Sequence, residues 1–101
     1  MTTPEGEEKK KIKDFLTELG VYHFWPVQSG YGRDTLDCLA CIKGMFWGIE
    51  VKPANGPKGA TARQVIRMKE IEAAGGRTVV GDARTIISII QQFTTLRRAL
   101  P

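Results

Sequence analysis

A two-residue break, Lys43-Gly44, separates two apolar segments, Leu36 to Ile42 and Met45 to Lys52, and it limits the folding options of this chain more than any other feature. So short a connection containing glycine selects a β-hairpin. It also fixes the register: Ile42 must face Met45. Counting outward, Asp37 falls directly opposite Glu50, with twelve residues between them in sequence. Opposed residues on antiparallel strands bring their Cβ atoms to about 4.5–5.5 Å. Side chains alternate along a strand, so Lys52 shares the face of Glu50. Two carboxylates and an ammonium therefore converge from spacing alone. A three-residue turn or a bulge would disperse them.

Two like charges directly opposite one another destabilise a sheet unless something offsets their repulsion. A divalent cation is one offset, and magnesium suits the pair because it takes oxygen ligands and keeps several waters. Such an ion polarises a phosphate oxygen and lowers the pKa of a water. Lys52 would then orient that water or stabilise charge developing on the phosphorus oxygens. The same three residues also read as a structural salt-bridge cluster in which Lys52 neutralises the acids. At the level of the residues both readings stand.

The remaining chain supplies the frame. Its 101 residues suit one domain over 1–101, and 42% hydrophobic with 26% charged residues is an ordinary globular balance. There is no apolar run near the roughly 18 residues of a membrane helix. The N-terminal segment lacks the apolar core of a signal peptide, so a cytoplasmic protein is expected. Ile12, Phe15, Leu16 and Leu19 recur at helical spacing between Glu5 and Leu19, and Gly20 stops that helix. Val21 to Gln28 reads as a strand with Pro26 marking an edge or bulge. Pro53 to Ala60 is a flexible connection, and Thr61 begins a second helix ending near Gly75-Gly76. Arg77 to Val80 is a fourth strand, expected to run parallel to the third. Asp82 caps a last helix through Ile86, Ile90, Phe93 and Leu96. The expected class is α/β: a mixed four-stranded sheet flanked by helices, in the order αβββαβα, with an amphipathic helix at the C-terminal end.

The formal net charge is +4, and Lys52, Lys58, Arg63, Arg67 and Lys69 follow one another with no acid between them. Such a run is the footprint of phosphate contacts or a solvated helix face. Tyr31, Arg33 and Lys58 lie on glycine-rich loops flanking the hairpin site, where Arg33 and Lys58 can contact phosphate or remain ordinary solvated charges. Thr61 and Gln64 have capping-box spacing, which is compatible with a role beside an anion at the helix start. Cys38 and Cys41 have the spacing of half a zinc knuckle, yet on a strand they point to opposite faces, and His23 is the lone further candidate. Buried packing is the expectation for both cysteines, a structural role for His23, and core or interface packing for Trp25 and Trp47. The last helix carries Ile86, Ile87, Ile89, Ile90 and Phe93 over more than one face, an excess that a homodimer would bury and that a core helix would show as well; a homodimer is expected.

The segments Gly32-Arg-Asp-Thr-Leu-Asp37, Gly48-Ile-Glu-Val-Lys52 and Thr61-Ala-Arg-Gln64, with Glu5 ahead of the first helix, resemble the PD-(D/E)XK nuclease superfamily. Within it they resemble the small stand-alone VRR-NUC proteins of phages and bacteria. The likeness runs from Thr3 to about Asp82. It implies a restriction-endonuclease-like αβββαβ core and hydrolysis of DNA phosphodiesters with Mg2+ or Mn2+. Asp37 and Glu50 would be metal ligands, joined by the Val51 carbonyl. Lys52 would be the catalytic lysine, Gln64 a helper near the scissile phosphate, and Glu5 an outer or second-metal carboxylate, a role for which Glu7 and Glu8 compete. Stand-alone members act on branched DNA such as Holliday junctions, generally as homodimers and without a small-molecule cofactor. The family's proline before the acid is absent here, since Thr35-Leu36 precedes Asp37. A non-catalytic DNA-binding module, or a nuclease for nicks, flaps or RNA, fits the same residues.

Overall fold

The computed structural model describes residues 3–27 and 34–99. Helix α1 (Pro4–Leu19) starts at Thr3, whose hydroxyl accepts from the Gly6 N–H at 2.9 Å, and ends at Gly20. Three antiparallel strands follow, β1 (Tyr22–Phe24), β2 (Cys38–Ile42) and β3 (Met45–Val51). Helix α2 (Ala62–Ala73) crosses over to β4 (Arg77–Gly81), which pairs parallel to β3, and α3 (Ala83–Ala99) closes the chain. The sheet order is β1-β2-β3-β4. Order and strand directions are those the sequence predicts. Strand β1 is shorter than the expected Val21 to Gln28, because Pro26 has no N–H with which to continue the ladder.

The turn is two residues long. Lys43 and Gly44 both take positive φ, 52° and 80°, the arrangement that matches the twist of a tight hairpin. Ile42 pairs with Met45, and the ladder continues to Cys38 opposite Ile49. The next position outward sets Asp37 against Glu50.

Alternation along the strands divides the sheet into two unlike faces. Cys38, Ala40, Ile42, Trp47, Ile49 and Val51 point into one core with Ile12 and Leu16 of α1 and Ile86, Ile90 and Phe93 of α3. Helix α2 covers the other face and buries none of its residues fully. Gly48 permits that approach, since a Cβ there would lie 2.6 Å from Ile71 Cδ1 and 2.8 Å from Leu36 Cδ1. Asp82 caps α3 by accepting from the Thr85 N–H at 3.0 Å, and Glu8 of α1 accepts from the Ala83 N–H at 2.9 Å. The two helices of that one core, α1 and α3, are thus tied by a buried charge-assisted bond.

Cys38 is buried on the core face, where burial pushes its thiol up to about 12, while Cys41 is exposed rather than packed. His23 Nδ1 accepts from the Trp25 indole at 3.0 Å and its Nε2 lies 3.3 Å from the Thr17 hydroxyl, a structural arrangement. Among the described residues no helix is long and apolar enough to cross a membrane.

Candidate active site

The site forms where β2 begins and β3 ends, on the face that α2 covers thinly. Asp37, Glu50 and Lys52 are brought together, with side chains 15%, 5% and 12% exposed. Each carboxylate is fixed by the other strand's backbone. Asp37 Oδ2 accepts from the Val51 N–H at 2.9 Å, and Glu50 Oε1 accepts from the Asp37 N–H at 3.3 Å. These cross-strand bonds are what the hairpin register provides. Lys52, just beyond β3, is anchored by its own N–H donating to the Gly81 carbonyl at 2.8 Å, so β4 sets where its side chain begins.

Gln64 joins the set from α2. Its Oε1 accepts from the Thr61 N–H at 2.9 Å and from Lys52 Nζ at 3.0 Å, while its Nε2 donates to Glu50 Oε2 at 2.8 Å. The Gln64 N–H in turn donates to the Thr61 hydroxyl, completing the capping box. Capping and site positioning are one arrangement here, because the amide that caps the helix also bridges lysine and glutamate. Lys52 Nζ lies 3.9 Å from Glu50 Oε2.

Burial, and then the negative charge of Asp37, push the Glu50 carboxyl up to about 8, with Lys52 pulling the other way. A carboxyl so disfavoured as an anion is short of neighbouring positive charge. The donors gathered here are all oxygens, the chemistry a hard divalent ion takes. Among the described residues no group of three or more His, Cys, Asp and Glu side chains assembles. A bound ion would therefore rest on the Asp37–Glu50 pair, backbone oxygen such as the Val51 carbonyl, and water. The residues fit a magnesium-like ion on these grounds.

Of the three competing N-terminal acids, Glu5 is linked to the site through Lys9. Its carboxylate lies 3.3 Å from Lys9 Nζ, which lies 3.4 Å from Asp37 Oδ1. Burial works against the charge of Lys9, but Asp37 and Glu5 outweigh it and hold the ammonium above its ordinary value. Glu8 is committed to α3 and to Lys11, and Glu7 is exposed. Lys9 is a site neighbour that the sequence reading missed. Its only sequence signal was the helical i,i+4 spacing from Glu5, a common pattern.

The expected basic stripe is dispersed. Arg67 pairs with Asp34 at 3.4 Å and with Glu70 on its own helix. Lys58 donates to the Pro53 carbonyl at 2.7 Å and to the Ala54 carbonyl, and lies 3.7 Å from Asp82, so it braces its own loop. Arg63 is exposed on the rim of a cleft of about 200 Å3 that Asp37, Glu50, Gln64 and Arg67 also line. Arg33 and Tyr31 lie outside the described residues.

A solved structure titled "VRR_NUC domain" matches this architecture with a TM-score of 0.73, covering 89% of this chain and 97% of that chain at 24% sequence identity. The likeness shows the fold. No family model matches the chain, and no curated protein matches it.

Proposed function

We propose that this chain, whose fold is that of a VRR_NUC domain, is a divalent-metal-dependent endodeoxyribonuclease that hydrolyses phosphodiesters in branched DNA, acting as a homodimer in the cytoplasm. One observation carries the reading: a buried carboxyl, Glu50, and a half-buried one, Asp37, held in opposition, with Lys52 and Gln64 bonded to one another beside them. A salt-bridge cluster would bring its lysine into close contact with the acids. Lys52 instead stops 3.9 Å from Glu50 Oε2 and donates to Gln64, and Lys9 sits on Asp37 rather than on Glu50, which leaves the Glu50 carboxyl short of cation.

A Mg2+ or Mn2+ ion on Asp37, Glu50 and the Val51 carbonyl would polarise the scissile phosphate and acidify the attacking water. The protein's own groups do the rest. Asp37 and Glu50 are preset by backbone N–H donors, so little reorganisation accompanies the reaction. Lys52 presents an ammonium where charge develops on the phosphorus oxygens, and Gln64 fixes its position. The start of α2 adds a favourable field for phosphate, and Arg63 on the rim supplies a cation to the approaching strand.

The test is a cleavage panel of four-way junctions, flaps, single strands and duplexes with Mg2+ and with Mn2+. Paired cuts in the four-way junction are expected from the wild type, with a loss of at least roughly 100-fold in Asp37→Asn, as for removal of a metal ligand or charge-stabilising group. An intact junction under every metal condition, or an equally active Asp37→Asn protein, returns the chain to the non-catalytic DNA-binding reading. Nicking of plain duplex without junction preference overturns the substrate assignment alone.

A further inference from the structure

The two oxygens of Asp37 are not equivalent. Oδ2 is taken by the Val51 N–H at 2.9 Å, whereas Oδ1 faces Lys9 Nζ at 3.4 Å. Oδ1, the oxygen to which no backbone N–H of the described residues donates, therefore already has a cation beside it. Lys9 reaches it from a different element, 28 positions away in sequence, and keeps a second carboxylate, Glu5, at 3.3 Å. Its side chain is 31% exposed, so it can leave Asp37 without leaving water or Glu5.

We propose that Lys9 is the site's built-in counter-cation: its ammonium screens Asp37 when no metal is bound, and a divalent ion must displace it, so Lys9 sets the metal affinity. The inference rests on the metal-dependent reading above. Two positive charges cannot share one carboxylate oxygen at close range without repulsion, so ammonium and metal compete. Glu5 has a matching part. It retains the displaced lysine and thereby reduces what metal entry costs. Lys9 is on this account a positioning residue, acting on the ion through Asp37.

The experiment titrates the metal-free protein with Mn2+, reading free ion by electron paramagnetic resonance, with no DNA present. Lys9→Met removes the charge and should tighten Mn2+ binding by roughly two- to fivefold, the effect of one partly exposed pair. Lys9→Arg keeps the charge and should stay near the wild type. Thermal unfolding gives an independent readout: Lys9→Met lowers the midpoint without metal, and saturating Mn2+ abolishes the difference. Binding by Lys9→Met that is unchanged or weaker overturns the proposal while leaving the metal site intact. If the wild type and Asp37→Asn proteins bind Mn2+ equally poorly, the metal-dependent reading itself fails, and this inference with it.

Discussion

Glu50 shows at the scale of one residue how function and stability oppose each other. Its carboxyl is pushed up to about 8, against an ordinary value of 4.5, because it is buried and faces Asp37. Between those values the folded protein holds a proton that the unfolded chain has released. The folded state then binds more protons, and stability falls as pH rises through that window. The opposite slope belongs to Glu8, held below its ordinary value by the Ala83 N–H and then Lys11. Asp82 behaves likewise, held down by the Thr85 N–H and side chain and by Lys58. Their contribution is present at neutral pH and is lost only in acid. For the metal-free protein, denaturation should therefore show stability declining from about pH 5 and levelling off above about 8, where folded Glu50 ionises as well. Asp37→Asn should flatten that decline, and Mg2+ should bind more tightly as pH rises through about 8. Stability that increases steadily across the window would contradict the assignment of the raised carboxyl.

The hairpin of β2 and β3 is the element on which the site depends. Every cross-strand bond between Asp37, Glu50 and Val51 follows from the two-residue turn, and a slip of one position would send Asp37 into the core. The turn is nonetheless not optimal. Lys43 holds φ at 52°, a region that asparagine or glycine occupies with less strain. Lys43→Asn gives the favoured Asn-Gly turn and should stabilise the protein by about 0.5–1 kcal/mol in chemical denaturation, with cleavage unchanged. A loss of stability would show that Lys43 has another structural role. Helix α2 works differently. Its capping box could be read from Thr61 and Gln64, but not that the capping amide also reaches Glu50 and Lys52. That reach depends on α2 lying close over Gly48, a tertiary fact.

At the scale of the molecule, among the described residues, α1 and α3 pack against one side of the sheet and α2 covers only part of the other. The face that carries Asp37 and Glu50 continues across β2 and β1, where Tyr22 pairs with Cys41 and Phe24 with Leu39. Tyr22 is 74% exposed, Phe24 53% and Phe46 46%, an apolar strip beside the candidate site. The dimer expected from sequence was tied to α3, which buries Ile86, Ile90 and Phe93 in the protein's own core and leaves Ile89 and Leu96 exposed. We propose the strip as the interface of the expected dimer, because exposed apolar surface of this kind marks association sites. Light scattering should give twice the chain mass, and Tyr22→Arg with Phe24→Arg should give the monomer. A wild type that is monomeric at all concentrations ends the paired-cut model of junction cleavage. Periodicity, turn length and cap residues act between neighbours in the chain, so the sequence by itself determined the seven elements, the hairpin register and the meeting of Asp37, Glu50 and Lys52. Contacts between segments distant in sequence depend on how helices settle on the sheet. Only the tertiary structure therefore decided that Glu8 caps α3, that Lys9 stands between Glu5 and Asp37, that the basic residues disperse among carboxylates and loop carbonyls, and that α2 covers only part of one sheet face.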